Sequence, residues 1–203
     1  MLHREAVPER TLDLLKRLCA HPALDGFALV GGTSLALRYG HRMSVDLDFF
    51  RPDSFENKQV SQALSADFPI QVTNDNSNGM MCFIEKVKVD FVTYRYPLLQ
   101  PYETLEGVRM MSLRDVVSMK LGALTNRGAK KDFYDLYILL KNLGLPELLK
   151  IYQEKFPNHD PMIVLRSMVY FEDAEKQKNP KSLIRITWSK VKEGIEQAVR
   201  EAL

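Results

Sequence analysis

Residues 27–50 read Phe27-Ala28-Leu29-Val30-Gly31-Gly32-Thr33-Ser34-Leu35-Ala36-Leu37-Arg38-Tyr39-Gly40-His41-Arg42-Met43-Ser44-Val45-Asp46-Leu47-Asp48-Phe49-Phe50, and this stretch decides the fold. Phe27 to Val30 is a short apolar run that stops at a glycine pair, the pattern of a buried strand entering a tight turn. Thr33 to Tyr39 predicts a short helix closed by Gly40. Met43 to Phe49 then alternates. Met43, Val45, Leu47 and Phe49 share one face, and Ser44, Asp46 and Asp48 share the other. That period of two predicts a strand with one face on a core and one face lined by acids.

Residues two apart on a strand stand roughly 6–7 Å from each other on the same face. Two carboxylates so placed repel, and facing a cleft they need a cation. Mg²⁺ or Mn²⁺ is the hard ion that such oxygen donors favour, and it suits phosphoryl transfer. The pair Asp46 and Asp48 alone also reads as a solvated strand face. Its context sharpens the reading, because the helix start at Thr33-Ser34 exposes backbone N–H groups that bind phosphate. A third acid, Asp90, lies in Val87-Lys88-Val89-Asp90-Phe91-Val92, where Lys88 and Asp90 share the polar face. Asp90 is a candidate metal ligand or general base; a charge pair with Lys88 on an edge strand is the other reading.

Outward from this segment, Pro8 to Ala20 predicts a helix with Leu12, Leu15, Leu18 and Cys19 on one face. A surface helix is expected from Phe55 to Phe68, and strands from Ile70 to Thr73, Met80 to Glu85 and Val87 to Tyr94. Asn74 to Gly79 is expected as a turn. After Tyr96-Pro97 the pattern becomes helical. Ser112-Leu113-Arg114-Asp115 resembles a capping box with Asp in place of Glu. Leu113, Val116, Val117, Leu121 and Leu124 follow at helical spacing, Asn126-Arg127-Gly128 breaks the helix, and Phe133, Leu136, Tyr137 and Leu140 mark the next. Further helices are expected over Pro146–Lys155, Pro161–Tyr170 and Ser182–Ala202, with Glu172–Lys181 as a mobile connection. The expected class is α+β: a mixed sheet flanked by helices in residues 1–107, then a helical lobe in residues 108–203. Lys120 sits on the apolar face of its helix, so it must snorkel outward or enter a cleft. Asp132 is placed to cap the following helix or to pair with Lys120.

The 203 residues are 45% hydrophobic and 27% charged, enough apolar material for a core without a disulfide or metal staple. The net charge of +2 decides nothing alone. From Arg109 to Lys131, however, six basic residues face one acid. Such a stretch suits a polyphosphate or an RNA backbone, or forms a solvated helix face. Cys19 and Cys82 form no metal or redox pattern, and His3, His21 and His159 are scattered, which argues against a zinc site. No targeting segment or membrane span is visible, so a cytoplasmic protein is expected. No recognition-helix motif supports a DNA-reading protein.

The run Val30 to Phe50 resembles the signature of the AbiEii/AbiGii toxin family, nucleotidyltransferases of the polymerase-beta superfamily from bacterial toxin–antitoxin and phage-defence systems. The segments Asp115-Val116-Val117-Ser118-Met119-Lys120 and Arg127-Gly128-Ala129-Lys130-Lys131-Asp132-Phe133-Tyr134-Asp135-Leu136 are similar to the family's later motifs. The resemblance implies that Gly31, Gly32 and Ser34, with Thr33 beside them, hold nucleotide phosphates, and that Asp46 and Asp48 bind metal. Lys120 and Asp132 would belong to the active site, and Arg42 is placed to touch phosphate or to lie on the surface. The implied substrate is an NTP and the implied acceptor a tRNA or other RNA, with a protein acceptor open and an antitoxin as partner. A module of the same fold that binds nucleotide without turnover is the competing reading.

Overall fold

The computed structural model describes residues 1–202, without the side chain of Ala202. Seven strands form one mixed sheet: β1 (Ala28–Leu29), β2 (Leu47–Arg51), β3 (Ile70–Asn76), β4 (Gly79–Ile84), β5 (Val87–Thr93), β6 (Glu103–Leu105) and β7 (Val108–Met110). Their order across the sheet is β3-β4-β5-β2-β1-β7-β6. β2 runs parallel to β5 and antiparallel to β1, while β7 joins β1 in parallel. The helices are α1 (Glu9–Ala20), α2 (Gly31–Tyr39), α3 (Asn57–Ser65), α4 (Leu113–Asn126), α5 (Lys130–Leu143), α6 (Leu145–Lys155), α7 (Pro161–Met168), α8 (Glu172–Glu175) and α9 (Trp188–Ala202). The α+β expectation therefore holds.

Alternation along the central strands assigns the two faces of the sheet. Leu47, Phe49, Val89 and Phe91 are fully buried on the face covered by α1 and α3. Phe49 and Phe91 stack with ring centroids 5.6 Å apart, and Phe27 meets Phe91 edge-on at 5.5 Å. Each such ring contributes about 1.5–3 kcal/mol through burial. The opposite face carries Asp48, Phe50 and Asp90 toward the helical lobe, whose core includes Val117, Leu121, Phe133 and Leu136.

Several elements differ from the sequence expectation. The strand expected from Met43 starts only at Leu47, and Val45, expected in the core, is 54% exposed. The backbone of residues 43–46 is committed elsewhere. Met43 N–H donates to Lys181 O, Ser44 N–H donates to Ala6 O, and Thr33 Oγ1 binds both Ser44 Oγ and Asp46 O. Asn74 to Asn76 continue β3 across a bulge, and only Ser77-Asn78 turn; Asn57 Nδ2 secures this end by donating to Asn76 O at 2.9 Å. The helix expected from Ser182 begins at Trp188, because residues 181–183 instead pair with His41–Met43. The expected mobile connection contains α8. β6 and β7, absent from the expectation, form a hairpin whose turn residues Glu106 and Gly107 have φ of 52° and 83°, as a type I′ turn requires. The division expected between residues 107 and 108 thus falls at a hairpin tip, and the sheet extends to Met110.

Ser112 caps α4 as expected, accepting from Asp115 N–H at 3.1 Å. Asp115 stands in place of the usual Glu because its carboxylate is also fully buried against Lys155 Nζ, at 2.5 Å, and accepts from Leu99 N–H. This ion pair ties the loop after β5 to α4 and α6.

Candidate active site

β1 ends at Leu29, Val30 is the N-cap of α2, and Gly31 opens that helix with φ of +68°, a conformation that favours glycine. A Cβ at Gly31 would overlap Asp48 Oδ2, so glycine here lets the carboxylate lie against the turn. A Cβ at Gly32 would overlap the Arg42 guanidinium. The glycine pair is therefore required by close approach on both sides as well as by the turn.

On the sheet, Asp48 and Asp90 are direct register partners on adjacent parallel strands. β5 lies inside the sheet between β4 and β2, so the edge-strand reading of Asp90 does not hold. Its pairing with Lys88 does, at 2.8 Å, while Asp90 Oδ1 is buried without a partner. Burial raises the Asp48 pKa, and the neighbouring Asp90 charge raises it further against the opposing pull of Lys120. Asp46 precedes β2; its side chain is 38% exposed and lies 3.8 Å from Lys131 Nζ.

Lys120, on α4, does not snorkel. It is 5% exposed, and its Nζ lies 2.8 Å from Asp132 Oδ1 and 2.7 Å from Asp135 Oδ2. Asp132 is not the helix cap; Ala129 occupies that position, and Asp132 sits inside the first turn of α5. Arg127 Nε closes on Asp132 Oδ2 at 3.2 Å. Asp135, one turn further, also takes the Arg42 guanidinium through two bonds of 2.7 and 2.8 Å, and His41 Nε2 lies 2.7 Å from Oδ1. Burial alone would raise the Asp135 pKa. The charges of Lys120 and Arg42, with the His41 and Arg42 hydrogen bonds, hold it well below the ordinary carboxylate range. Burial likewise opposes the Lys120 charge, and Asp135 and Asp132 override it to raise the lysine pKa. Counting Lys120, Arg42 and Arg127 against Asp132 and Asp135, three cations meet two anions, which leaves one positive charge beside Asp48.

A cleft of about 490 Å³ opens beside this network. Gly31, Asp48, Lys120 and Arg127 line one part of it, and Phe50, Tyr94, Tyr96, Phe156 and His159 supply an aromatic part. The volume and mixed lining suit a small-molecule ligand. Asp46, Asp90 and Asp132 stand behind or beside this lining rather than in it. Thr33 and Ser34 are buried: Thr33 Oγ1 holds the acidic loop, and Ser34 Oγ donates to Met110 Sδ at 3.7 Å. Their side chains do not face the cleft, so a phosphate at this turn would meet backbone. Arg42 is 2% exposed and its Nε and Nη2 are committed to Asp135, so neither the surface reading nor direct phosphate contact fits it; it braces Gly32.

Sequence reasoning missed Asp135 and the aromatic wall. Asp135 follows Asp132 by three residues and so shares its helical face, which is the signal that marks it. Among the described residues no three His, Cys, Asp or Glu side chains converge into a preformed metal cage. The donor chemistry nevertheless fits a hard cation: Asp48 and Asp90 share a face, Asp90 Oδ1 is unsatisfied, and Asp48 is crowded by like charge.

This architecture is that of the nucleotidyltransferases. A Helicobacter pylori protein assigned to that class matches at a TM-score of 0.61 with 17% identity over 96% of this chain and 95% of its own. MenT4, a nucleotidyltransferase toxin of Mycobacterium tuberculosis H37Rv, matches at 0.55 with 15% identity over 95% and 84%. The family model for the nucleotidyl transferase AbiEii toxin of Type IV toxin–antitoxin systems matches residues 13–202, and the chain belongs to that family of transferase enzymes. An uncharacterized protein of Aquifex aeolicus (strain VF5) is 34% identical over 197 residues, covering 94% of this chain and 95% of the relative. Among the described residues no helix is long and apolar enough to cross a membrane.

Proposed function

We propose that this chain moves a nucleotide from an NTP to a hydroxyl of an RNA acceptor, with tRNA the favoured class, in a reaction that depends on Mg²⁺ or Mn²⁺. The observation that carries the reading is the juxtaposition of Asp48, in register with Asp90, with the Gly31 turn and Lys120 at one cleft. A divalent ion bound there would supply charge neutralisation between the carboxylates and a triphosphate. Asp48 and Asp90 are the residues that would hold it, with Asp46 at the margin. The backbone N–H groups at the start of α2 would receive phosphate. Lys120, fixed by Asp132 and Asp135, would present a positioned cation to charge developing on the phosphates. Tyr94, Tyr96 and Phe156 offer flat surfaces for the nucleobase. An antitoxin that restrains this activity is the partner expected of a toxin of this family.

Lys88 and Lys131 already accompany Asp90 and Asp46, an arrangement that would also suit a module holding nucleotide without turnover. Asp48 argues for the enzyme, since a crowded, desolvated carboxylate is the group that gains most from a cation. The test is incubation of the purified protein with each labelled NTP, Mg²⁺ or Mn²⁺, and total RNA or total protein. Label in the tRNA fraction, lost in Asp48→Asn, is the expected result. Measurable NTP binding without incorporation into either pool would leave the binding module.

A further inference from the structure

From Lys176 to Lys192 the chain carries six basic residues and no acid. Lys176, Lys178, Lys181, Arg185 and Lys190 are exposed. Among the described residues the ion pair in this run is Lys192 with Glu175, so those five side chains face solvent without an acidic partner. Solvent-exposed cations in a row are common. The course of this row is what singles it out.

The segment is tied at two points that flank Asp46. At its head, Gln177 Oε1 accepts from Lys130 N–H at 2.9 Å, and Lys130 Nζ donates to Glu175 O at 3.2 Å, which docks it on the first turn of α5. The next residue of that turn, Lys131, reaches Asp46. Further along, Met43 N–H donates to Lys181 O at 2.8 Å and Leu183 N–H donates to His41 O at 3.0 Å, which docks the segment on the loop that leads to Asp46. Residues 177–183 thus bridge the two elements that bring Lys131 and Asp46 together. The backbone that carries these cations therefore packs on the loop that leads to Asp46 and on the helical turn that holds Lys131.

We infer that Lys176, Lys178, Lys181 and Arg185 form a track for the phosphate backbone of single-stranded RNA, delivering the acceptor hydroxyl to the Asp46 side of the cleft. The inference rests on the RNA-acceptor reading above and assigns the surface that would serve it. A strap outside helix and strand that carries cations and no acid between Lys176 and Lys192 can neutralise successive phosphates, and its strength must fall with salt.

The probe is a fluorescently labelled single-stranded RNA of about 12 nucleotides, titrated by anisotropy over a range of salt. The variant is Lys176→Gln/Lys178→Gln/Lys181→Gln/Arg185→Gln, whose positions are exposed and do not line the cleft. Expected are at least a tenfold loss of RNA affinity at low salt and a slope of log K against log salt lower by up to about 2.8, at roughly 0.7 per phosphate contact. Melting temperature and NTP binding should be unchanged. Equal affinity and slope in variant and wild type would overturn the track while leaving the transferase reading intact. So would displacement of the RNA by polyglutamate as effective as by unlabelled RNA of equal charge. Wild type that incorporates label into protein and binds no RNA would remove both the track and the RNA acceptor.

Discussion

Replacing Asp135 with Asn removes the one charge that Lys120, Arg42 and His41 share. The carboxylate is fully buried and both cations are nearly so. Taking one partner from a buried ionic cluster costs about 3–5 kcal/mol, because the remaining charges lose compensation without regaining water. For a chain of this size each kcal/mol moves the melting temperature by about 2–4 °C, so a fall of about 6–20 °C is expected. The pH dependence gives a second readout. The folded-state pKa of Asp135 is depressed, so its contribution is complete above the unfolded carboxylate value of about 3.9 and is lost as pH falls toward the folded value. Within that window the gap between wild type and variant should close by about 1.36 kcal/mol per pH unit. Urea unfolding at intervals from neutral to strongly acidic pH measures both. A melting drop below about 2 °C, or a stability gap that stays constant into strong acid, would refute the assignment of Asp135 as the counter-charge of this network.

The other expectations are simpler to state. Asp48→Asn should abolish nucleotide transfer yet raise the melting temperature by about 2–4 °C, the response to roughly 1 kcal/mol, because it relieves a desolvated carboxylate crowded by Asp90 and Asp46; thermal melting without added metal checks this. Gly31→Ala should cost about 1–3 kcal/mol and most of the activity, since the added methyl meets Asp48 in a left-handed backbone position; paired unfolding and transfer assays read it. Lys120→Ala should lower the transfer rate at saturating NTP more than it alters metal binding, which metal titration and single-turnover kinetics separate. Cys82, its thiol pushed up to about 12 by burial, should resist alkylation at pH 8 until the protein is unfolded, as mass measurement after reagent treatment would show.

Local pattern was enough to place the sheet's central strands. Leu47, Asp48 and Phe49, like Val89, Asp90 and Phe91, alternate so cleanly that the core face and the acidic face follow from period alone. The Gly31-Gly32 turn and the Gly40 helix stop were legible because glycine marks a backbone requirement in the residue itself. What stayed hidden depends on distant partners. Residues 43–46 alternate like a strand, but their backbone bonds go to Ala6, Thr33 and Lys181. β6 and β7 are three residues each, too short for a period to emerge. The burial of His41 and Arg42 follows from Asp135, 94 and 93 residues away, and no local pattern reports such a pairing.

The clamp between His41–Met43 and Lys181–Leu183 links segments 141 residues apart. During synthesis the ribosome makes the acidic loop early and its clamp late. At about 5–20 residues per second, roughly 7–30 s separate the two. Throughout that interval the nascent chain carries its carboxylates without the strap that pins them, so a translating cell holds only incomplete copies until the final stretch is added.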